Sequence, residues 1–433
     1  MHGPAPSITA KPTRMRYGIL AAVFVSVVIN YMDRSNLSVA ASFIADELKL
    51  DNVQLGYLFS AFGMTYAFCQ IPGGILADRF GNRGFYSLCL ILWSLATVLQ
   101  GFAEGFLLLF AMRILVGISE APSYPLNNRI VTRWFPENER AGAIATYTSG
   151  QFLGLAFLTP ALMALVEGLG WRALFFVTGG IGLVWGLVWF IFYRDPCQHR
   201  MVNQAELALI EQGGGLVERG ASKKGEPFKW RNLLIVLTQR KLWGIYLGQF
   251  GMGATIMFFL TWFPKYLKDY KGMEPLESRV AAAIPFICAF AGVLLSGHVS
   301  DFLVRRGTSV NVARKAPIIT GLLFSMTIIG ANYVSDPVWV TFFMSTAFFG
   351  NGLASITWVF VSLLAPRKLI GLTGGTFNFI GGLSAILVPI AIGYLAREGD
   401  FAPALVFICL MTLLAIASYV FLVGDIKRIE VEA

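Results

Sequence analysis

Runs of about twenty apolar residues recur from Gly18 to Val423, each bounded by a short polar connection. Twelve spans are predicted, at approximately 17–44, 54–78, 84–103, 105–134, 141–166, 171–193, 241–267, 277–303, 315–333, 337–364, 369–396 and 402–424. In hydrocarbon each backbone N–H and C=O must be satisfied within its own segment, so every run is predicted to be a helix. The longest polar interval, 194–240, falls midway and separates six spans from six. The expected architecture is an all-α polytopic membrane protein with 12 transmembrane helices in two six-helix bundles. The N-terminal bundle is expected over 1–193, a linker over 194–240 and the C-terminal bundle over 241–433. Within the linker, Gln204–Gln212 is predicted to form a short surface helix that ends at Gly213-Gly214-Gly215.

Composition agrees with this pattern. Of the 433 residues, 56% are hydrophobic and 14% charged, and the mean hydropathy is +0.65. No soluble globular class has that balance. A net charge of +9 points toward nucleic acid until its distribution is read. With both termini on one side, 25 of the 34 Lys and Arg residues fall on that side, among them Lys11/Arg14/Arg16, Arg79/Arg83, Arg129/Arg133/Arg140 and Arg305/Arg306. Seven lie on the opposite side, and Arg34 and Arg113 lie within spans. This asymmetry predicts cytoplasmic termini and a cytoplasmic linker. The basic excess is a topology signal that also attracts anionic membrane lipids, and no nucleic-acid partner is expected.

Several other signals add little. Cleavage of the first span as a signal peptide would strand an odd number of spans. The five cysteines show no pairing pattern, so free thiols are expected. Gly215 and Gly220 mimic a phosphate loop, but Ala221-Ser222 stands where Lys-Ser/Thr is required. His2, His199 and His298 share no metal-ligand spacing, and neither metal nor cofactor is expected.

The chemistry concentrates in the first span, where Asn30-Tyr31-Met32-Asp33-Arg34-Ser35-Asn36-Leu37 sets an acid and a guanidinium between apolar flanks. A charge at bilayer depth costs roughly 2.5–3.5 kcal/mol on insertion scales and persists where it faces protein or water. Asp33 and Arg34 are neighbours about 100° apart on a helix, so each needs its own partner. The fourth span carries Arg113 and Glu120, seven residues apart and therefore on one face. These expectations pair Arg113 with Asp33 as an internal ion pair and Glu120 with Arg34. Arg34 offers a planar fork that matches a substrate carboxylate. A permanent Arg34 salt bridge to another helix is the competing reading, and the two coexist if substrate displaces the internal acid.

The halves echo one another. Gly74-Ile75-Leu76-Ala77-Asp78-Arg79-Phe80-Gly81-Asn82-Arg83 follows the second span, and Gly297-His298-Val299-Ser300-Asp301 follows the eighth, offset by 223 residues. Weak repetition with a six-plus-six division marks a two-bundle transporter whose site lies between the halves. Gly74, Asp78, Arg79, Gly81, Arg83 and Asp301 are read as a cytoplasmic gate.

Gly74-x3-Asp78-Arg79-x-Gly81-x-Arg83 resembles the signature of the major facilitator superfamily, and the second copy lacks its second glycine. Asn30-Tyr31-x-Asp33-Arg34-x-x-Leu37 resembles the anion:cation symporter branch. Over nearly its whole length the chain is similar to bacterial D-galactonate/proton symporters, through Gln70-Ile71-Pro72-Gly73-Gly74, Glu120-Ala121-Pro122, Trp134-Phe135-Pro136-Glu137, Phe349-Gly350-Asn351-Gly352 and Gly371-Leu372-Thr373-Gly374-Gly375. Glucarate and hexuronate carriers share much of this pattern. The resemblance implies proton coupling at Asp33 and Glu120. It implies substrate contacts at Tyr31, Arg34, Tyr66, Gln151, Ser355, Thr357, Trp358 and Asn378, with Gln249 a further candidate. Amides and hydroxyls match sugar hydroxyls as donor and acceptor, and an indole face covers a sugar's C–H surface.

The expectation is a monomeric carrier in the bacterial inner membrane that imports a sugar-acid anion, D-galactonate foremost, with protons by alternating access. A drug/proton antiporter is the same-fold rival, and carboxylate-ready Arg34 stands against it. No cytoplasmic domain or nucleophile constellation supports a membrane enzyme or a sensor.

Overall fold

A computed structural model describes residues 11–215, 230–366, 369–397 and 399–430. The side chains of Gly74, Asp78, Arg79 and Asp301, four of the expected gate residues, lie outside the described set. Long helices follow the apolar runs. They are α1 Met15–Leu48, α2 Asn52–Phe80, α3 Asn82–Gln100, α4 Phe106–Trp134, α5 Glu137–Leu169 and α6 Trp171–Phe192. After the linker come α7 Arg240–Tyr270, α8 Pro275–Arg305, α9 Val310–Asn332, α10 at 337–364, α11 at 370–395 and α12 Ala402–Leu422. No strand occurs among the described residues.

Among the described residues, eleven helices are long and apolar enough, by length and composition, to cross a membrane. The predicted second span is present as α2, a helix of 29 residues. Its Asn52, Gln54, Thr65 and Gln70 dilute the apolar run, and the helix packs on α4 and α11. The expected linker helix is present at Gln204–Gln212 and is capped by the Asn203 side chain, which accepts from Glu206 N. Sharp reversals between helices fall on glycine in the left-handed region, Gly81 (φ 77°) before α3 and Gly170 (φ 84°) before α6. Asp336 starts α10 by accepting from Val338 N and Trp339 N, with Pro337 in the first turn.

Packing within each half is extensive: α1 on α5, α3 on α6 and α2 on α4 in the first, α8 on α10, α9 on α10 and α7 on α12 in the second. The halves meet along α2–α11, α5–α8 and α1–α7. These seams are tightest on the face away from the linker. There Ser38 Oγ donates to Thr261 O (2.6 Å), Tyr57 and Tyr394 share a hydroxyl contact (3.1 Å), and Ser60 Oγ donates to Ile386 O (2.6 Å). Arg279 of α8 pairs with Glu167 of α5 at the same face. Gly56 lets the α2 backbone lie on Pro389 and Ile390 of α11, where a Cβ would come within 2.7 Å of the Pro389 carbonyl oxygen.

The buried apolar core shows the same asymmetry. Away from the linker one cluster runs through both halves, joining Leu37, Ala40 and Ile44 of α1 to Phe259, Trp262 and Phe263 of α7 and Phe348 of α10. Toward the linker it divides in two. Val23, Trp93, Trp134 and Trp189 form a core in the first half, and Tyr246, Leu322, Phe360 and Tyr419 form another in the second. Between these separated cores lies the cavity.

The linker is tied to the first half. Glu206 is fully buried, and its carboxylate accepts from Met15 N (2.9 Å), Arg16 N (3.0 Å) and the Thr13 hydroxyl. It thereby satisfies backbone donors that the start of α1 would otherwise leave open. Arg16 also reaches Glu139 of α5 (2.9 Å), and Asp195 gathers Arg133, Tyr193 and Asn82. Arg83, read as a gate residue, donates to Phe190 O of α6 (2.8 Å) inside the first half.

Candidate functional site

A cavity of about 1300 Å³ lies between the halves. All nine expected substrate-contacting residues line it: Tyr31, Arg34, Tyr66 and Gln151 from the first half, and Gln249, Ser355, Thr357, Trp358 and Asn378 from the second. Arg113 lines it as well, whereas Asp33 and Glu120 lie behind its wall, 1% and 0% exposed.

Arg34 is the centre of the first-half wall. It leaves α1 and engages Glu120 of α4 through Nε and Nη2. Three rings surround its guanidinium, with centroids 4.8 Å (Tyr31), 5.0 Å (Phe62) and 4.6 Å (Tyr66) away. Ring faces attract a cation without offering it a proton acceptor, so Glu120 is its one anionic partner among the described residues. A charge held this way is balanced yet exchangeable, because a second carboxylate arriving from the cavity meets the same fork.

The expected Arg113–Asp33 ion pair is not formed. Arg113 instead donates to the backbone carbonyls of Asp33 (3.5 Å) and Arg34 (3.4 Å). The Asp33 carboxylate turns away and accepts from Asn36 Nδ2 (3.2 Å), which also donates to Thr178 Oγ1 of α6 (2.8 Å). The second Asp33 oxygen has no hydrogen-bond partner. Helical spacing gave the correct face for both residues, but the Asp33 carboxylate is taken up by Asn36 of its own helix.

Polar residues in the second half also pair among themselves. Thr357 Oγ1 donates to Gln249 Oε1 (3.0 Å), and Asn378 Nδ2 crosses to Gln70 Oε1 of α2 (3.2 Å). Trp358 is 51% exposed and sets its ring edge-on to Phe377. Two cavity-facing groups were not anticipated as ligands. Tyr124 bonds both Tyr31 and Gln151 (3.4 Å each), and Asn351 donates to Met252 O (3.0 Å). Both lie beside breaks in their helices. The first segment of α4 ends at Glu120 and the helix restarts at Ser123, and α10 passes through a tighter turn at Ala354–Ile356. A proline inside a membrane helix removes one backbone hydrogen bond and kinks it, so Ala121-Pro122 was a signal for Tyr124. The two breaks occupy the fourth helix of each half, a second echo of the internal repeat.

The chain belongs to the Major Facilitator Superfamily, whose family model matches residues 23–389. Among its relatives, a D-galactonate transporter of Escherichia coli O6:H1 is 52% identical over 427 residues, covering 98% of this chain and 99% of that protein. The probable galactarate/D-glucarate transporter GudP of Escherichia coli K12 is 42% identical, covering 99% and 98%. Among solved structures, a D-xylose-proton symporter superposes with a TM-score of 0.71 at 14% identity, covering 95% of this chain and 98% of that one. A bacterial homologue of the human lysosomal transporter Spinster, in an inward-facing and occupied conformation, gives 0.69 at 21% identity, covering 97% and 96%. The chain is therefore a multi-helix member of that superfamily.

Proposed function

We propose that this protein imports a sugar-acid anion, D-galactonate foremost, together with protons by alternating access across the bacterial inner membrane. The single observation that carries the reading is Arg34, which a buried acid neutralises at the wall of a cavity lined from both halves. The substrate carboxylate takes the Arg34 fork and frees Glu120, which then holds a proton, because an unpaired buried carboxylate is costly as an anion. Asp33, shielded from the cavity and held by Asn36, is the second proton carrier. Sugar hydroxyls meet Gln249, Thr357 and Asn378, which donate and accept.

The positive-inside asymmetry supports cytoplasmic termini and a cytoplasmic linker, and on that reading the cavity, divided from the opposite face by the shared core, belongs to an inward-facing state. The carrier works as a monomer in lipid and needs no cofactor beyond the proton gradient. The match to a D-galactonate transporter supports galactonate, and the matches to galactarate/D-glucarate transporters keep the aldarates as the second reading. Uptake of labelled D-galactonate into proteoliposomes tests this. Accumulation driven by an inward proton gradient and abolished by a protonophore is expected. Uptake indifferent to the gradient removes the coupling.

A further inference from the structure

We propose that the charge-neutral wall supplied by the second half makes this carrier select sugar acids with one carboxylate, the aldonates, over the doubly charged aldarates. The inference rests on the reading of the site given above and specifies its substrate class. Among the described lining residues only Arg34 and Arg113 are charged, and both belong to the first half. They also stand together, since Arg113 donates to the backbone carbonyl of Arg34 itself. The second half contributes Gln249, Asn351, Ser355, Thr357, Trp358 and Asn378, none of them ionisable at neutral pH.

A six-carbon diacid carries its carboxylates at opposite ends. With one end on Arg34, the other faces the second-half wall, where only amide and hydroxyl dipoles await it. The cost appears when the halves close and strip water from that end, because a desolvated charge without a counter-charge is far more expensive than a desolvated hydroxyl. A terminal hydroxyl has no such cost. It donates to Gln249 or Asn378 oxygens and accepts from their amides. Folding the diacid back to place both ends on the two arginines meets a different obstacle, since Arg113 already spends donors on two α1 carbonyls. Relatives bearing galactonate and galactarate/D-glucarate names fall on either side of this distinction.

The test is the affinity ratio for D-galactonate and galactarate on the purified carrier at pH 7, where the carboxylates of both free acids are ionised. Counterflow of each acid into proteoliposomes accompanies it. Galactonate is expected to bind at least about tenfold more tightly. Asn378→Lys, at an exposed position with room for a longer side chain, is expected to narrow that ratio by about threefold or more. Ser355→Lys tests the same wall independently of the Asn378–Gln70 contact. Equal affinity for the two acids overturns the inference while leaving the sugar-acid reading intact, as do Lys variants that weaken both acids alike. Binding of neither acid overturns the reading and the inference with it.

Discussion

Replacing Glu120 by Gln is the most direct probe of the site, because stability and affinity should move in opposite directions. Glu120 is fully buried and is the anionic partner of Arg34. Removing one partner of a buried pair costs about 3–5 kcal/mol when the remaining charge has no other company. Here the glutamine oxygen still accepts a hydrogen bond, and three aromatic rings still surround the guanidinium. The expected loss of apo stability is therefore smaller, about 1–3 kcal/mol, and is read as a lower melting temperature. In the parent protein a substrate carboxylate merely replaces another carboxylate on Arg34. In the variant it replaces an amide, and a hydrogen bond to a charged group is worth about 1.5–3 kcal/mol. Set against about 0.5–1.5 kcal/mol for a neutral partner, the difference of about 1–1.5 kcal/mol converts to roughly five- to tenfold tighter galactonate binding at fixed pH. Gradient-driven accumulation should vanish in the same variant while counterflow persists. Isothermal titration, a melting curve with and without galactonate, and proteoliposome uptake read all three quantities. Weaker or unchanged binding, or accumulation at the parental level, would refute the exchange of carboxylates on Arg34.

The remaining predictions concern the surrounding structure. Asp33→Asn should abolish pH-driven accumulation while leaving galactonate affinity within about threefold, because the side chain lies behind the cavity wall; accumulation at the parental level removes Asp33 from proton coupling. Asn36→Ala, which severs the link from Asp33 to Thr178, should shift the pH midpoint of uptake with little change in binding at the plateau, and an unmoved midpoint counts against it. Glu167→Gln should raise exposure of the face away from the linker. A half-exposed pair is worth about 0.2–1 kcal/mol, so labelling of a cysteine placed at Ser38 should quicken by up to about fivefold on a cysteine-free background. Glu206 supplies a pH test outside the membrane. Burial pushes its carboxyl up, but donors from Thr13, Arg16 and Met15 outweigh burial and hold it below its ordinary range. A depressed folded value gives stability that is present above the unfolded value, about 4.3, and is lost as pH falls through the folded one. The melting gap between parent and Glu206→Gln should therefore be full at neutral pH and close in acid; a gap that stays constant refutes it.

Sequence was most informative where a single physical constraint dominates. Hydrocarbon demands continuous helices, so apolar run length located, among the described residues, eleven helices long and apolar enough to cross a membrane to within a few residues. The helix predicted at 54–78 is likewise present, as α2 over Asn52–Phe80. In the site, Arg34 and Glu120 emerged as partners because charges in apolar helices have few alternatives. Asp33 did not pair as expected, since periodicity fixes a direction around the helix and says nothing of reach. Tyr124 escaped notice because an aromatic residue in an apolar helix reads as core until the break at Ala121-Pro122 turns it toward the cavity. The tighter turn at Ala354–Ile356 has no Pro to announce it, so the placement of Ser355 and Thr357 beside a helix interruption emerges only from tertiary structure.

On the proposed transport cycle, the Arg34–Glu120 couple also governs the idle half. After delivery an importer must shut around an empty chamber and swing back unladen. A naked guanidinium would resist that closure, clinging to the last solvent molecules and stalling the return. Because its own acid is always within grasp, Arg34 makes the journey as one member of a neutral couple, and the unladen protein is free to go back for the next passenger.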